Sequence, residues 1–311
     1  MMNVLRKEML HPVWSIKVFP SQDVIREHPG AAKLAAPTLQ AKDVTDIPAA
    51  FVADPFLVRH GTGYYLFFEV LNKATGKGDI AAASSHDGVT WKYEQVVLTE
   101  PYHLSYPQVF LHEGDYYMIP ETVGAGKVLL YRAVEFPYRW EVAESLLDGR
   151  YTDPSIFQYN GKWWMLGGAR GRQLHLFVSD RLEGPWTEHP QSPVIRENPN
   201  VSRPGGRIIQ EGNRLYRYMQ DGEPYYGSST RMAEITVLTE CEYAETELGI
   251  VLEGSRKEQD WSKDGMHHID QLKLEEDMWM VAVDGHYFER EPYVRWKLRR
   301  VGAKLARYIK R

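Results

Sequence analysis

Three stretches of the sequence share one pattern: ADPFLVRHGTGYYLFFE at residues 53–69, YPQVFLHEGDYYMIPE at 106–121 and DPSIFQYNGKWWMLGG at 153–168. Each has a proline at its start, then apolar residues, a Gly turn and an apolar, aromatic run. Two looser copies follow at residues 203–221 and 267–284. Because apolar runs separated by Gly-containing turns are typical of paired β-strands, the pattern predicts a hairpin that recurs five times.

The spacing of the copies defines a longer repeat. The prolines of the first four copies recur at intervals of 52, 47 and 50 residues: Pro55, Pro107, Pro154 and Pro204. In each of the first three, a further short apolar run ends in a tryptophan: Trp91, Trp140 and Trp186. A unit of about 40–50 residues holding four short strands is the signature of a propeller blade. Five units predict an all-β, five-bladed β-propeller; an irregular β-sandwich with coincidental Asp-Pro turns is the alternative.

The repeat also divides the chain. We expect residues 51–290 to form the propeller, residues 1–50 to pack on it, and residues 291–311 to form a basic tail. Residues 295–311 hold eight Lys and Arg and no acid. Apolar residues ringed by cations are typical of a helix that lies in a membrane interface. We therefore predict a short C-terminal amphipathic helix that contacts the inner membrane surface through residues 294–311.

Composition narrows the classes of function. With 37 Lys and Arg against 42 Asp and Glu the net charge is −5, and nucleic-acid-binding domains are usually basic, so no nucleic acid is expected as a partner. The one cysteine, Cys241, excludes an intrachain disulfide, as is usual in reducing compartments. The N-terminus lacks the apolar core of a secretory signal, and no apolar run is long enough to span a membrane. A cytoplasmic protein, peripheral on the inner face of the membrane, is expected.

Several phrases together resemble a known family. The Asp-Pro pairs at residues 54–55 and 153–154, with SSHDGVTW at 84–91 and SDRLEGPW at 179–186, resemble the five-bladed propellers of the glycoside hydrolase family 43 type. A longer set, spread over residues 14–285, is similar to the N-terminal domain of glucosamine inositolphosphorylceramide transferases and its stand-alone bacterial relatives: ADPFLV, YYLFFE, KGDIAAASSHDGVTW, LSYPQVF, YMIPET, TDPSIF, RPGGR and GMHHID.

The family 43 resemblance implies three acids around one mouth of the central axis. A base comes from the first blade, a pKa-tuning carboxylate from the third and a Glu as general acid from the fourth. Asp54 matches the base and Asp153 the tuning carboxylate. Where the fourth blade should supply Glu-Pro, this chain reads Arg203-Pro204-Gly205-Gly206-Arg207. Because guanidinium does not give up its proton in proteins, the usual proton donor to a sugar leaving group is missing.

This departure favours a sugar donor whose leaving group is a phosphate. A phosphate leaves as a stable anion and is helped by positive charge placed where negative charge develops, and the fork of arginine suits its oxygens. Asp54 would take the proton of the acceptor hydroxyl. Residues that open the fourth and fifth blades should converge on this mouth, so we expect four side chains to bind the substrate there: Arg203, Arg207, His267 and His268.

Acids also end the second strand of successive units. Glu69 and Glu121 each lie fourteen residues after their proline, and Asp221 ends the corresponding run of the fourth unit. We expect Glu69 and Asp221 to bind substrate. Glu121 is expected to act as a catalytic acid if burial raises its pKa.

Structural roles are the alternative for each of these residues. An Asp before Pro is often a turn residue, and the two arginines could pair with Glu69 or Glu121 in a structural network. The adjacent His267 and His268 point to opposite faces of a strand, and no zinc-type spacing accompanies them. No metal is expected.

Three functions stay open. The sequence has no Gly-x-Gly-x-x-Gly and no GxxxxGK[ST] phosphate loop, so no cofactor is expected. The favoured function is a sugar transferase of surface-polysaccharide or glycolipid assembly, with a sugar donor such as a nucleotide sugar and a glycan or glycolipid acceptor. The second is a glycoside hydrolase of the furanosidase or arabinanase kind. The third is a non-catalytic glycan-recognition propeller, favoured by the missing Asp-x-Asp pair that many sugar transferases use.

Overall fold

The strands of residues 8–292 form five separate antiparallel sheets arranged in sequence order. The computed structural model describes residues 8–292. The five sheets are the blades of a propeller, which confirms the all-β, five-bladed fold predicted from the repeat. The C-terminal helix predicted for residues 294–311 lies outside the described residues.

The chain begins with a long strand, β1 (Glu8–Ser21), and then contributes the blades in order. The first blade has four strands: β2 (Ala49–His60), β3 (Gly63–Asn72), β4 (Lys77–Ser85) and β5 (Lys92–Leu98). The second repeats this plan: β6 (Ser105–His112), β7 (Asp115–Glu121), β8 (Lys127–Glu135) and β9 (Arg139–Asp148). So does the third: β10 (Thr152–Tyr159), β11 (Lys162–Ala169), β12 (Gln173–Ser179) and β13 (Thr187–Glu188).

The last two blades depart from this plan. The fourth has five strands: β14 (Arg203–Pro204), β15 (Ile209–Glu211), β16 (Arg214–Gln220), β17 (Ser229–Leu238) and β18 (Tyr243–Glu253). Its first strand is interrupted, since β14 and β15 both pair with β16. The fifth has two new strands, β19 (Ile269–Glu275) and β20 (Met278–Pro292). Two short 3-10 turns complete the elements: Ala41–Asp43 and Val123–Ala125.

The N-terminal strand closes the ring. β1 pairs antiparallel with β20 over its whole length, from Glu8 opposite Pro292 to Ser21 opposite Trp279. The strand order of the fifth blade is therefore β1-β20-β19. Backbone hydrogen bonds thus join the two ends of the described chain, and residues near the N-terminus become part of the last blade.

The first strands of three blades contain the same distortion. Asp54, Tyr106 and Asp153 each precede a proline and have positive φ values of 54°, 50° and 49°. At each position the strand pairing shifts register. A non-glycine residue in this region is uncommon, and a bulge re-aims a side chain in a strand. Because such strain concentrates at functional sites, the repeated bulge marks this end of the propeller axis as a candidate functional site.

Apolar side chains pack between neighbouring blades and hold them together. In the cluster between the first and second blades, Phe67 packs with Met118 and Trp140. Each tryptophan of the repeat also closes its own turn, donating its indole N–H to a backbone oxygen three or four residues earlier: Trp91 to Gly88, Trp140 to Pro137 and Trp186 to Leu182. The period seen in the sequence therefore reflects one turn repeated in three blades.

Candidate active site

A cavity of about 250 Å³, the central cavity, lies where the first strands of the blades begin. Side chains of four blades meet there: Trp14, Phe51, Ala53, Asp54, Glu69, His103, Ser105, Glu121, Arg203, Tyr226 and His267. Five of the nine residues predicted for the site are among them: Asp54, Glu69, Glu121, Arg203 and His267. Residues distant in sequence are neighbours here because the ring brings equivalent blade positions together.

Asp54 is held at the wall of this cavity by its own backbone and that of the next blade. Its amide donates to Asp284 Oδ2 (3.0 Å), and its Oδ2 accepts the amide of Tyr106 (3.2 Å). Its Oδ1 is buried without a hydrogen-bond partner among the described residues. Burial raises the pKa of Asp54 to about 7, opposed by the nearby His267 and reinforced by the carboxylate of Asp284. The side chain is thus a carboxyl that gains or loses a proton near neutral pH.

His267 and Asp284 form a hydrogen-bonded pair behind Asp54. His267 Nδ1 lies 2.8 Å from Asp284 Oδ1, and His267 Nε2 lies 3.6 Å from Asp54 Oδ1. The carboxylate also accepts the amides of His267 and His268. Burial alone would lower the pKa of His267, but the Asp284 carboxylate outweighs it and the pKa is raised. Asp284 therefore fixes the ring so that Nδ1 carries a proton and Nε2 faces Asp54.

Trp14, from the strand that closes the ring, packs between two histidines. Its ring stacks on His267 with centroids 4.0 Å apart and an interplanar angle of 24°. It also contacts the His286 ring, with centroids 4.1 Å apart. A protonated imidazole on an indole face is a favourable cation–π contact of about 0.5–2 kcal/mol. Trp14 is therefore placed to hold the His267 ring in position and to favour its charged form.

Removal of the Trp14 indole is expected to lower the pKa of His267. Trp14→Leu should lower it by about 0.5, the equivalent of a cation–π contact of about 0.7 kcal/mol, whereas Trp14→Phe should retain most of it. The pKa is measured by NMR titration of the imidazole nitrogens. The variants are compared below their melting temperatures, because loss of a buried Trp destabilises the fold. An unchanged His267 pKa in Trp14→Leu would show that the indole only fills space.

Arg203 also lines the central cavity and is held by two acids. It contacts the Asp153 carboxylate through Nε and lies 3.5 Å from Glu121 Oε2. Gln220 donates to the same Asp153 oxygen (2.9 Å), and the Tyr226 ring lies 4.9 Å from the guanidinium. Burial opposes the charge of Arg203, but the Asp153 carboxylate holds its pKa above the ordinary value. Arg203 is therefore a fixed cation in the cavity wall, whereas Asp153 lies beneath it and is almost fully buried.

Glu121 is an acid that keeps its proton at neutral pH. Burial, with the neighbouring Asp153 carboxylate, raises the pKa of Glu121 to about 8 despite Arg203. Its Oε2 accepts the amide of Asp153 (3.3 Å), so the bulge of the third blade is anchored to the second. A carboxyl with this pKa can act as a general acid at pH 7.

A second acid of the same strand position, Glu69, pairs with His103. Glu69 Oε1 lies 3.4 Å from His103 Nε2, and His103 Nδ1 accepts the amide of Gly78 (2.8 Å). Since Nδ1 accepts a hydrogen bond, the ring proton of neutral His103 is on Nε2, facing Glu69. Burial lowers the pKa of His103 and raises that of Glu69 well above its usual range. Burial therefore disfavours the charged form of both groups.

The five acids in and around the central cavity fall into two groups. Two acids are balanced by cations, Asp153 by Arg203 and Asp284 by His267. The remaining three carboxyls have raised pKa values: Asp54, Glu69 and Glu121. Carboxyls whose environments differ in this way can divide into proton acceptors and proton donors.

Three predicted site residues do not line the central cavity, although His268 Nδ1 lies 3.8 Å from Asp54 Oδ1. Arg207 is paired with Asp270 and donates to the backbone oxygen of Leu57 (2.8 Å), which ties the fourth blade to the first and fifth. His268 is fully buried and bonds the backbone oxygen of Pro55 (3.0 Å). The Asp221 carboxylate is bonded by Arg231 Nε (2.8 Å) and lines a different cavity. The structure therefore does not bring these three to the wall of the central cavity.

Two of the cavity residues that were not predicted from the sequence occupy equivalent positions in the repeat. Phe51 and His103 each lie three residues before the strained position of their blade, Asp54 and Tyr106, and both line the cavity. Aligning the copies a few residues further upstream would have found them. Trp14 has no counterpart in the repeat, because it reaches the site only through ring closure.

One group of side chains has the composition of a cation site. Asp54, His267 and Asp284 each offer a ligand-type atom, and these atoms lie within 4.8 Å of one another. His267 Nδ1 and Asp284 Oδ1 are hydrogen-bonded to each other, and Asp284 also accepts backbone amides. These contacts satisfy the pair without an ion. That the site uses no metal stays a prediction.

Residues 8–292 form a five-bladed β-propeller, a fold that is also found in arabinanases. The α-L-arabinanase of Cellvibrio cellulosa superposes with a TM-score of 0.55 at 19% identity, covering 77% of this chain and 90% of that chain. At this identity the likeness shows the fold alone. The chain belongs to the family described as glucosamine inositolphosphorylceramide transferase 1, N-terminal, whose model matches residues 11–286. The family resemblance seen in the sequence is thereby confirmed.

Two plant proteins named glucosamine inositolphosphorylceramide transferase 1 are 36% identical to this chain. In the protein of Oryza sativa subsp. japonica the match covers 264 residues, 81% of this chain and 36% of the rice protein. In that of Arabidopsis thaliana it covers 284 residues, 88% of this chain and 37% of the plant protein. The chain thus spans little more than a third of the length of these relatives.

Proposed function

We propose that the protein is a sugar transferase that moves a sugar from a phosphate-linked donor to a glycan or glycolipid acceptor. Membership of the family and the transferase names of the plant relatives support this reading. Those proteins are much longer than this chain, so the activity is proposed from the site as well as from the names.

The observation that carries the proposal is the place of Arg203. It opens the fourth blade and lines the central cavity, where a hydrolase of the family 43 type would present a Glu as general acid. A guanidinium cannot protonate an alkoxide leaving group. It can stabilise a leaving phosphate, which needs positive charge and no proton. The Asp153 and Glu121 carboxyls hold this cation in place.

In the proposed reaction each residue has one task. Asp54 takes the proton of the acceptor hydroxyl, whose oxygen forms a bond to the anomeric carbon of the donor. The bond from that carbon to the phosphate oxygen breaks, and the phosphate leaves with the electron pair toward Arg203. His267, fixed by Asp284, lies beside Asp54 and stabilises its ionised form before the proton arrives.

Arg203→Gln is expected to weaken binding of nucleoside diphosphate sugars by about 10–100-fold, because a charge-assisted hydrogen bond of about 1.5–3 kcal/mol is lost. Arg203→Lys should retain part of the affinity, since it keeps the charge but not the fork. Binding is measured by calorimetry with uridine and guanosine diphosphate sugars. The exposed Arg214→Gln, which removes an arginine far from the cavity, is the control and should bind like wild type.

Two results would contradict the proposal. One is an affinity for every nucleoside diphosphate sugar that does not change in Arg203→Gln while the protein remains folded by thermal unfolding. The other is efficient release of nitrophenol from nitrophenyl glycosides, which need no phosphate site.

A glycoside hydrolase is the second candidate, favoured by one observation. The pKa of Glu121 is raised to about 8, so this carboxyl can hold its proton at pH 7. Asp54, with a pKa of about 7, can act as its ionised partner. An acid and a base in one cavity are the requirement for glycoside hydrolysis. Turnover of nitrophenyl furanosides that is abolished in both Asp54→Asn and Glu121→Gln would favour this reading over transfer.

We also propose where the protein acts, at the inner surface of the membrane. Within residues 8–292 no helix is long and apolar enough to cross a membrane. A basic segment adds about 1 kcal/mol of attraction per Lys or Arg near an anionic leaflet. We therefore keep the proposal that residues 294–311 bind the inner membrane surface, close to a lipid-linked acceptor.

A further inference from the structure

A second cavity, of about 500 Å³, lies between the fourth and fifth blades. Its walls come from the loop between β16 and β17, from the end of β18 and from the segment before β19. Pockets for small ligands usually measure about 300–1,000 Å³. The second cavity falls within this range, whereas the central cavity at about 250 Å³ falls below it. A substrate larger than a single sugar therefore needs space outside the central cavity.

Two consecutive residues of one loop line the two cavities. Tyr225 lines the second cavity and Tyr226, the next residue, lines the central one. Their loop joins β16 to β17, so it lies at the same end of the sheet as the start of β14, where Arg203 is. Both tyrosines are part-exposed, at 39% and 44%. A ligand that occupies both cavities would therefore contact this loop.

The second cavity offers polar groups but no free cation among its described lining residues. Arg231 pairs with Asp221 (2.8 Å) and Glu247 (2.6 Å). Two further cations of the lining are paired as well: Arg256 with Glu253 and Lys263 with Glu258. Each of these cations therefore already has an acidic partner. Together the paired side chains present the hydrogen-bond donors and acceptors that suit hydroxyl groups.

The Tyr225 ring is held rigidly beside these groups. Its hydroxyl donates to the backbone oxygen of Asp264 (2.6 Å), and its edge contacts Phe288, 5.2 Å between centroids. A fixed aromatic ring provides apolar contact area at little cost in conformational entropy. The combination of one such ring with paired polar side chains suits the apolar face and the hydroxyls of a neutral sugar.

We propose that the second cavity binds neutral sugar residues of the glycan acceptor, next to the residue that reacts in the central cavity. The inference rests on the proposed transferase function, because it assigns the acceptor to this side of the site. It also gives Asp221, predicted from the sequence to bind substrate, a role: it holds Arg231 in the wall of this second cavity.

The test is binding of gluco-, galacto- and manno-oligosaccharides of one to five residues, followed by calorimetry and saturation-transfer NMR. In at least one series the affinity of wild type should rise tenfold or more from the monosaccharide to the trisaccharide. Tyr225→Ala should abolish this gain and leave the monosaccharide affinity unchanged, and Tyr225→Phe should keep it. Tyr138→Ala is the matched control, because Tyr138 is equally exposed at 39% but belongs to the turn between β8 and β9.

The result separates this inference from the proposed function. Arg203→Gln should lower the affinity for nucleoside diphosphate sugars and leave the gain with oligosaccharide length intact. Two results would overturn the second cavity as the acceptor site. One is a rise in affinity with oligosaccharide length that persists in Tyr225→Ala. The other is a wild-type affinity that does not rise with length in any series. Neither outcome depends on whether Arg203 binds phosphate.

Discussion

Asp54→Asn should lower turnover of the sugar donor by about 10²–10⁴-fold, the usual contribution of a positioned general base. The amide has the shape of the carboxyl and its oxygen can still accept the amide of Tyr106, but it cannot take a proton. The melting temperature should stay within a few degrees of wild type. Steady-state turnover and thermal unfolding are measured on the same preparations.

The dependence of turnover on pH tests whether Asp54 is the group that accepts the proton. Because burial raises the pKa of Asp54 to about 7, the base is ionised above this pH and protonated below it. Wild-type turnover should therefore fall about tenfold per pH unit below pH 7. A second, alkaline fall near pH 8 appears only if the proton of Glu121 is needed. Transfer from a phosphate donor predicts the acidic limb alone, and hydrolysis predicts both.

Asp79→Asn is the matched control for this variant. Asp79 is a buried acid of the same blade, 2% exposed, and accepts a hydrogen bond from Asn72 rather than facing the central cavity. Its replacement should leave turnover within about twofold of wild type. Turnover of Asp54→Asn within fivefold of wild type would mean that Asp54 is not the base.

The fold and part of the site could be predicted because the chain repeats one unit. Equivalent positions of a repeat occupy equivalent places around the axis. Asp54 and Asp153 therefore share one kind of bulge, and Glu69 and Glu121 pair with the residue just before the strained position of their blade, Ala53 and Ser105. Glu121 ends its strand as predicted, whereas β3 continues past Glu69 to Asn72. The period of the prolines was enough to align these positions, without any knowledge of contacts.

The fourth blade could not be predicted in the same way. β14 is only two residues long, and Gly205 and Gly206 turn the backbone before β15. Strand alternation does not extend across this break, so the sequence could not show that Arg203 faces the cavity while Arg207 pairs with Asp270.

Trp14 could not be predicted as a site residue, because it reaches the cavity only through closure of the ring. Trp14 reaches His267 because β1 pairs with β20, about 270 residues later in the chain. The register of that pairing decides which side chain of β1 reaches the cavity, and it follows from long-range packing rather than from a local pattern.

Gly206→Ala should destabilise the protein by about 3 kcal/mol or more, because a methyl group has no space at this position. Its Cβ would lie 1.8 Å from the backbone oxygen of Ile269, in the fifth blade. The φ of Gly206 is +147°, which side chains rarely adopt. Its amide and carbonyl also bond the hydroxyl of Tyr106 (2.7 and 2.8 Å), from the second blade. For a chain of this size the melting temperature should fall by about 6–12 °C.

Gly212→Ala separates the clash from the backbone conformation. Gly212 also has a positive φ, +59°, but a Cβ there would meet nothing within 4 Å. It should cost only about 1–2 kcal/mol, the penalty of a left-handed residue. If thermal unfolding shows equal losses for the two variants, the interrupted strand of the fourth blade is not pressed against the fifth. A much larger loss in Gly206→Ala, with weaker binding of nucleoside diphosphate sugars, would show that this close contact sets the position of Arg203.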